Sequence, residues 1–364
     1  MIFRYIDWPL LHARKERFAF SWLLRTLSFV YGFFVRLRLS AYQLRLLRHK
    51  ALHAYVVSVG NITTGGTGKT PFVAMLARWA HENGIRSAVL SRGYKGRNRG
   101  TPLIVSDGKR VLAHADEAGD EPLLLARILP SVPILVCKKR YAIGCLATDR
   151  FNAQLLLLDD GYQHLSLDRD LNILLIDAKR QFGNESLLPL GPLREPVEQV
   201  KRADLIIITK CTNEHPGDDL VDFLKRNYPG KPIFLSRYYP DQVIFPFVGK
   251  AYQPGILSGK NVVAFAGLAN PDDFFEMLKS LGANVIYFKT FSDHHSFSRN
   301  EIEELASWTE RLDVDFLLTT EKDWIRIDGK CGADLDIAIL TIKLELLSDR
   351  DAFFNIIRKG IFRP

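Results

Sequence analysis

Seven consecutive residues, Thr64-Gly65-Gly66-Thr67-Gly68-Lys69-Thr70, constrain this chain more than any other feature in it. They follow a β-rich apolar run at 55–59 that ends in Gly60-Asn61. They precede a stretch of helical spacing, 70–83, that stops at Gly84. Glycines in such a turn let backbone N–H groups point inward around an anion, and the N-terminus of the next helix adds partial positive charge. Lys69 has the reach for the β- and γ-phosphates of a nucleotide, and the Thr70 hydroxyl can ligate Mg2+. A strict form of this loop has glycine at position 63, where the chain has Thr63.

A phosphate loop needs a strand before it and a sheet around it, and the following sequence supplies candidates. Continuous apolar runs at 87–90, 133–137, 155–158, 172–176 and 204–209 alternate with helical stretches such as 121–129. Runs without alternation predict strands buried on both faces, as in a parallel sheet covered by helices. Residues 180–197 hold Gly183, Pro189, Gly191, Pro192 and Pro196 and predict a long loop; such loops are often functional. Mixed signals at 235–258 suggest a connector. A second α/β unit follows, with strands at 261–265, 284–288 and 316–319 and helices at 271–281 and 299–312. The expected fold class is therefore α/β: a P-loop NTPase-like parallel sheet with helices on both faces, a smaller C-terminal α/β domain and an N-terminal amphipathic helix. The expected boundaries are 1–50 for a membrane-associating helical segment, 51–235 for the nucleotide-binding domain, and 236–364 for the connector and C-terminal domain.

An acidic residue at the end of a buried strand is the second requirement for holding Mg2+ beside a nucleotide. Leu155-Leu156-Leu157-Leu158-Asp159-Asp160-Gly161 meets it, and two adjacent carboxylates leaving an apolar strand are costly without a compensating cation or hydrogen bonds. Glu195, on the long Pro-rich loop, is a further acidic candidate for the metal. Arg92 and Arg194 sit in Gly- or Pro-rich loops and have the planar fork that grips phosphate oxygens. Gln163 and His164 follow the acidic pair and could support the metal ligands. Thr209-Lys210-Cys211-Thr212 faintly matches a guanine-reading motif, but Thr212 stands where the discriminating carboxylate belongs. ATP is accordingly the default nucleotide.

Charge is unevenly distributed. Residues 1–50 carry ten Lys/Arg and two Asp/Glu, which accounts for the whole net charge of +8 and leaves the other residues balanced. Nucleic-acid binding would spread basic residues over the folded body; a basic N-terminal segment suits an anionic membrane surface better. Within 18–39 aromatic and aliphatic residues dominate, but Arg25 interrupts them and the longest uncharged run is the ten residues 26–35. A membrane-crossing helix needs about 17–25 apolar residues. An interfacial helix is the expectation, with a helix packed on the protein's own core as the alternative. Four scattered cysteines, at 137, 145, 211 and 331, suggest reduced thiols and form neither a zinc pattern nor a disulfide framework.

Several strings together carry a family resemblance. Ser58-Val59-Gly60-Asn61-Ile62-Thr63 leads into the phosphate loop and Pro71. Leu90-Ser91-Arg92-Gly93-Tyr94, Gly119-Asp120-Glu121-Pro122 and Leu158-Asp159-Asp160-Gly161-Tyr162-Gln163-His164 follow. Leu187-Leu188-Pro189-Leu190-Gly191-Pro192-Leu193-Arg194-Glu195-Pro196, Asp293-His294-His295-Ser296-Phe297 and Thr319-Thr320-Glu321-Lys322-Asp323 complete the series. In this the chain resembles the tetraacyldisaccharide 4′-kinase (lipid A 4′-kinase) family, from about residue 10 to 325. The resemblance implies that ATP phosphorylates the 4′-hydroxyl of a tetraacylated glucosamine disaccharide 1-phosphate in lipid A biosynthesis. It also implies a Gram-negative-type cell, with the enzyme peripheral on the cytosolic face of the inner membrane. Asp120 is the candidate base for the acceptor hydroxyl, and the resemblance points to the same aspartate with His294 hydrogen-bonded to it. Capping of the next helix by Asp120 and a role for His295 in place of His294 are the alternatives. The competing function is a membrane-recruited P-loop ATPase or GTPase that acts as a switch or assembly factor.

Overall fold

A computed structural model describes residues 21–362, apart from 95, 98–99, 214, 328–336 and 348. The expected helix at 18–39 runs over Ser21–Gln43; residues 18–20, and the rest of the basic segment before them, lie outside the described residues.

The strands in chain order are β1 Tyr55–Gly60, β2 Ser87–Ser91, β3 Leu103–Asp107, β4 Pro133–Val136, β5 Leu155–Asp159, β6 Leu171–Asp177 and β7 Leu205–Thr209. β8 Ile233–Phe245, β9 Lys250–Tyr252, β10 Asn261–Ala266, β11 Asn284–Thr290, β12 Phe316–Thr320 and β13 Ile337–Leu346 follow. They form one sheet in the order β11-β10-β12-β13-β8-β7-β6-β1-β5-β2-β4-β3, with β9 beside β8. Pairing is parallel except for β3 with β4, β8 with β13 and β8 with β9.

The central strands β1, β5, β6 and β7 are buried at nearly every position because both faces are covered. Val57, Val59, Leu155, Leu157, Ile173 and Leu175 enter one core together with Phe72, Leu76 and Ala80 of helix Lys69–Glu82. Val56, Leu156 and Leu158 point the other way, onto Ile143 and Ala147 of helix Arg140–Phe151. Alternation survives in the structure although it is invisible in the sequence, since each residue of such a strand has an apolar layer to enter. The second half repeats the scheme. Val262, Ala264 and Ala266 pack on Phe274 and Leu278, while Val263 and Phe265 pack on Ile302 and Leu305.

Residues 235–258 are less of a connector than expected. They include most of β8, whose first residues pair in parallel with β7 while Ser236–Ile244 pair antiparallel with β13. One strand thus crosses the boundary expected at residue 235 and joins both halves of the sheet. Pro240 in mid-strand obscured it, because proline cannot donate to a ladder. The structure accommodates Pro240 opposite Ile342, next to a register shift between Leu340 and Ile342. Helix Arg350–Ile361, absent from the elements expected above, returns to the first half. Its Phe353 packs edge-on to Phe72 and Phe234, and its Phe354 stacks on Trp79 with ring centroids 4.6 Å apart.

Candidate active site

The carboxyl ends of β1, β5, β10 and β12 open into a single cleft of about 980 Å³ lined from both halves. Crevices outside the carboxyl ends of strands, where strand order reverses, are where open α/β sheets bind ligands.

On one wall the phosphate loop is held from several sides. Gly65 and Gly68 adopt φ of 99° and 89°. A side chain at 68 would also collide with the Tyr238 hydroxyl. Thr209 Oγ1 donates to the Thr67 carbonyl at 2.9 Å, and Asn61 Nδ2 donates to Thr67 Oγ1 at 2.9 Å. Lys69 Nζ donates to Asn61 Oδ1 at 3.3 Å and lies 3.5 Å from Asp160 Oδ1. Residues 65–70 line the cleft, whereas Thr64 ties the loop's base to Pro192 through its backbone N–H. Thr63 makes an antiparallel bridge with Leu193 and is not among the left-handed residues. The position therefore needs no glycine, because the chain is still extended there.

Asp159 and Asp160 share this wall but differ in their partners. Asp160, at φ 53°, accepts from Arg194 Nη1 at 3.1 and 3.0 Å. Burial would lift its carboxyl, but Lys69 and Arg194 outweigh it and hold it at about 2. Asp159 is 2% exposed, and its Oδ1 has no hydrogen-bond partner. Burial, then the charges of Glu121 and Asp160, raises it to about 7. A buried carboxylate oxygen without a donor is poorly placed in a protein unless a cation meets it. Asp159 and the nearby Thr70 hydroxyl thus fit Mg2+, a hard ion that keeps several waters and takes one or two carboxylates plus phosphate oxygens. Among the described residues no group of three or more His, Cys, Asp or Glu forms a self-sufficient metal cage.

The remaining candidates on this side divide. Arg92 and Arg194 line the cleft, as do Gln163 and His164. Gln163 donates to the Asn61 carbonyl at 2.8 Å. Burial and the charges of Arg140 and Arg169 push His164 down to about 4, so it is neutral at pH 7. Glu195 is 3% exposed, paired with Arg202, and outside the cleft lining. Arg140, which the sequence reading passed over, is 4% exposed and lines the cleft at the start of its helix. Burial, then the nearby charge of Arg92, lowers it to about 10. Lys138-Lys139-Arg140 just after a predicted strand was the signal available.

Glu121, Leu124 and Ile128 of helix Asp120–Ile128 line the cleft, Asp120 itself lies just outside that lining, and Gly119 at φ 88° occupies the helix's cap position. The Asp120 carboxylate therefore does not cap the helix. Its Oδ2 lies 3.1 Å from His294 Nδ1 and accepts from Arg326 Nε at 2.8 Å. Burial acts to raise Asp120, but hydrogen bonds from His294 and Arg326 prevail and hold it at about 2. His294, at φ 61°, comes from the second half and lies edge-on to Tyr94. Left-handed non-glycine residues cost about 1–3 kcal/mol and cluster at functional sites. The adjacent His295 turns away from the cleft, bonding Glu301 at 2.9 Å and stacking on Phe291. Sequence reasoning missed Arg326, although Asp323 and Arg326 are spaced to share a helix face just after Thr319-Thr320-Glu321.

Residues 20–361 match the model of the family described as tetraacyldisaccharide-1-P 4′-kinase. The chain belongs to this family. Two tetraacyldisaccharide 4′-kinases illustrate the likeness. That of Pelobacter propionicus is 40% identical over 345 residues, which is 93% of this chain and 92% of that one. That of Geobacter metallireducens is 43% identical over 306 residues, 84% and 88% of the two chains. A crystal structure of LpxK from Aquifex aeolicus in complex with ATP superposes with a TM-score of 0.74 at 32% identity, covering 94% of this chain and 99% of that one. As a tetraacyldisaccharide 4′-kinase family member, the chain has its phosphate loop, acidic strand end and Asp120–His294 pair within the matched residues.

Proposed function

We propose that this protein transfers the γ-phosphoryl group of ATP to the 4′-hydroxyl of tetraacyldisaccharide 1-phosphate, a step in lipid A biosynthesis. The carrying observation is that one cleft is lined both by a phosphate loop with its acidic strand end and by His294, whose Nδ1 lies 3.1 Å from the Asp120 carboxylate.

Each wall has a task that follows from its chemistry. The backbone of 65–70 and Lys69 cradle the triphosphate, and Arg92 or Arg194 reaches phosphate oxygens on ATP or the acceptor. Asp159 and Thr70 are the residues to hold Mg2+, while Asp160 is taken up by Lys69 and Arg194. The ion, when bound, neutralises charge on the β- and γ-phosphates. Asp120 receives the acceptor proton. The O–H bond breaks as the new O–P bond forms, and ADP leaves with the old bridging oxygen. Neither bond to His294 or Arg326 falls on Asp120 Oδ1, which leaves that oxygen for the acceptor hydroxyl.

A tetraacylated acceptor stays in its bilayer, since each CH₂ moved into water costs about 0.8 kcal/mol. The enzyme must work at that surface, and helix Ser21–Gln43 is built for it. The helix docks through Leu24, Ser28, Gly32 and Leu39, with Ser28 donating to the Leu187 carbonyl and Tyr31 to the Arg194 carbonyl. It turns Trp22, Phe29, Phe33 and Phe34 to the outside, with Phe29 74% exposed. An apolar row left uncovered beside arginines supports attachment to anionic lipid on the cytosolic face of the inner membrane. No described helix is long and apolar enough to cross a membrane. We take residues 1–50 as the membrane-associating part and the regions on either side of residue 235 as two working units whose closure excludes water from the reaction.

The test is an incubation of the protein with [γ-³²P]ATP, Mg2+ and tetraacyldisaccharide 1-phosphate. Labelled lipid is the expected product. Label released only as inorganic phosphate would overturn this reading in favour of a membrane-recruited ATPase.

A further inference from the structure

Behind the Asp120–His294 pair lies a buried ionic network that the mechanism above leaves without a role. Arg326, 6% exposed, sits on helix Glu321–Ile327 in the second half. Its guanidinium reaches four groups: Nε donates to Asp120 Oδ2 at 2.8 Å, Nη1 to Asp323 Oδ1 at 2.9 Å and to the Gly267 carbonyl at 3.0 Å, and Nη2 lies 3.2 Å from His294 Nδ1. Asp323 is fully buried and is fixed in turn by the Gly267 N–H and by Thr320 Oγ1.

We propose that Arg326 is a positioning residue for phosphoryl transfer, holding Asp120 and His294 in a single arrangement across the cleft. The inference rests on the kinase reading and deepens it. A guanidinium is planar and always charged, so anchoring one edge on Asp323 and Gly267 fixes where the other edge points. That edge meets Asp120 Oδ2, which leaves Oδ1 free of both Arg326 and His294. His294 Nδ1 can either donate to Asp120 or accept from Arg326, not both. With Arg326 engaged by Asp120, the tautomer carrying the proton on Nδ1 can donate to the carboxylate, and the ring is fixed between the two. Ionic groups around the cluster reinforce its registration. Lys322, next to Asp323, lies 3.3 Å from Asp293 and 3.7 Å from Glu121, the neighbours of His294 and Asp120. The charge pairing also keeps Asp120 ionised at working pH, ready to receive a proton.

The test measures kcat and the KM for ATP in the labelled-lipid assay for Arg326→Met and Arg326→Lys, each alone and combined with Asp120→Ala. Arg326→Met is expected to lower kcat by about tenfold to a hundredfold with the KM for ATP within about twofold of the parent. Arg326→Lys, which keeps one charged contact but loses the fork, should fall between. In the Asp120→Ala background, Arg326→Met should change the residual rate by less than about twofold, because a residue acting through Asp120 has nothing left to position. An unchanged kcat for Arg326→Met overturns the inference. So does an equal loss with and without Asp120, the signature of a merely structural role. Should the methionine variant fail to fold, Arg326→Lys in both backgrounds gives the same comparison. No labelled lipid from the unaltered chain would sink the kinase reading itself, which keeps the two failures distinct.

Discussion

Asp120 faces two opposed requirements. A base needs proton affinity, yet its bonds to His294 and Arg326 hold it at about 2. Phosphoryl transfer through a loose transition state asks little basicity of its base until late, so placement outweighs proton affinity. Asp120→Ala should therefore lose about 10²–10⁴ in kcat while still binding ATP, whereas Lys69→Ala should lose both turnover and ATP affinity. Equilibrium dialysis with ATP beside the kinetic assay separates these outcomes; near-normal turnover of Asp120→Ala would mean another group is the base. The same carboxylate has a pH signature. A folded value near 2 against an ordinary 3.8 means that Asp120 adds about 2 kcal/mol of stability at neutral pH, fully present above about 4 and lost as pH falls towards about 2. The stability gap between the parent and Asp120→Asn in urea should accordingly shrink over that acid range. A gap independent of pH would contradict the pairing. The sequence made Lys69, Thr70 and the 159–160 pair legible because each sits at a fixed offset from a strand or turn. It could not reveal that Asp120 meets Arg326, since the partners are 206 positions apart and no local rule links them.

Elements were readable where local preference and burial agree. The helix after the phosphate loop, expected at 70–83, is Lys69–Glu82, and the run at 155–158 is β5 with Asp159 as its last residue. They were obscured where tertiary pairing overrides a local signal, as at Pro240 in β8. Helix Ser21–Gln43 is an instructive intermediate. Its apolar character was plain, but which side would be buried was not, because Ser28 and Tyr31 find backbone partners on the 187–194 loop while the phenylalanines face out. Replacing Phe29 and Phe33 with glutamate should abolish flotation with anionic vesicles while leaving the circular dichroism melting temperature nearly unchanged, since surface substitutions usually shift stability by no more than about 0.5 kcal/mol. Undiminished flotation would mean that the helix does not contact lipid.

At the scale of the whole molecule, β8 and helix Arg350–Ile361 tie the halves together. The strand continues one half of the sheet into the other, and the helix brings residues 350–361 back onto β1 and helix Lys69–Glu82. Phe353 is fully buried between Phe72 and Phe234. Phe353→Ala should lower the free energy of unfolding by about 3–5 kcal/mol, the usual cost of deleting a buried ring, although the substitution lies in the last stretch of sequence and remote from the phosphate loop in chain order. Denaturant titration checks this, and a loss below about 1 kcal/mol would show that the helix is dispensable to the core. Arg358 adds a clasp by donating to Asn83 just beyond the helix that follows the phosphate loop. During synthesis on the ribosome, then, the nucleotide-binding half waits for its last wedge. Residues 55–209 can emerge and pair, but the aromatic plug over Phe72 and Trp79 is synthesised only after some 140 further residues have been made. Nascent chains stalled before residue 350 should expose that apolar face and attract chaperones that bind such surfaces, until translation itself delivers the piece that covers it.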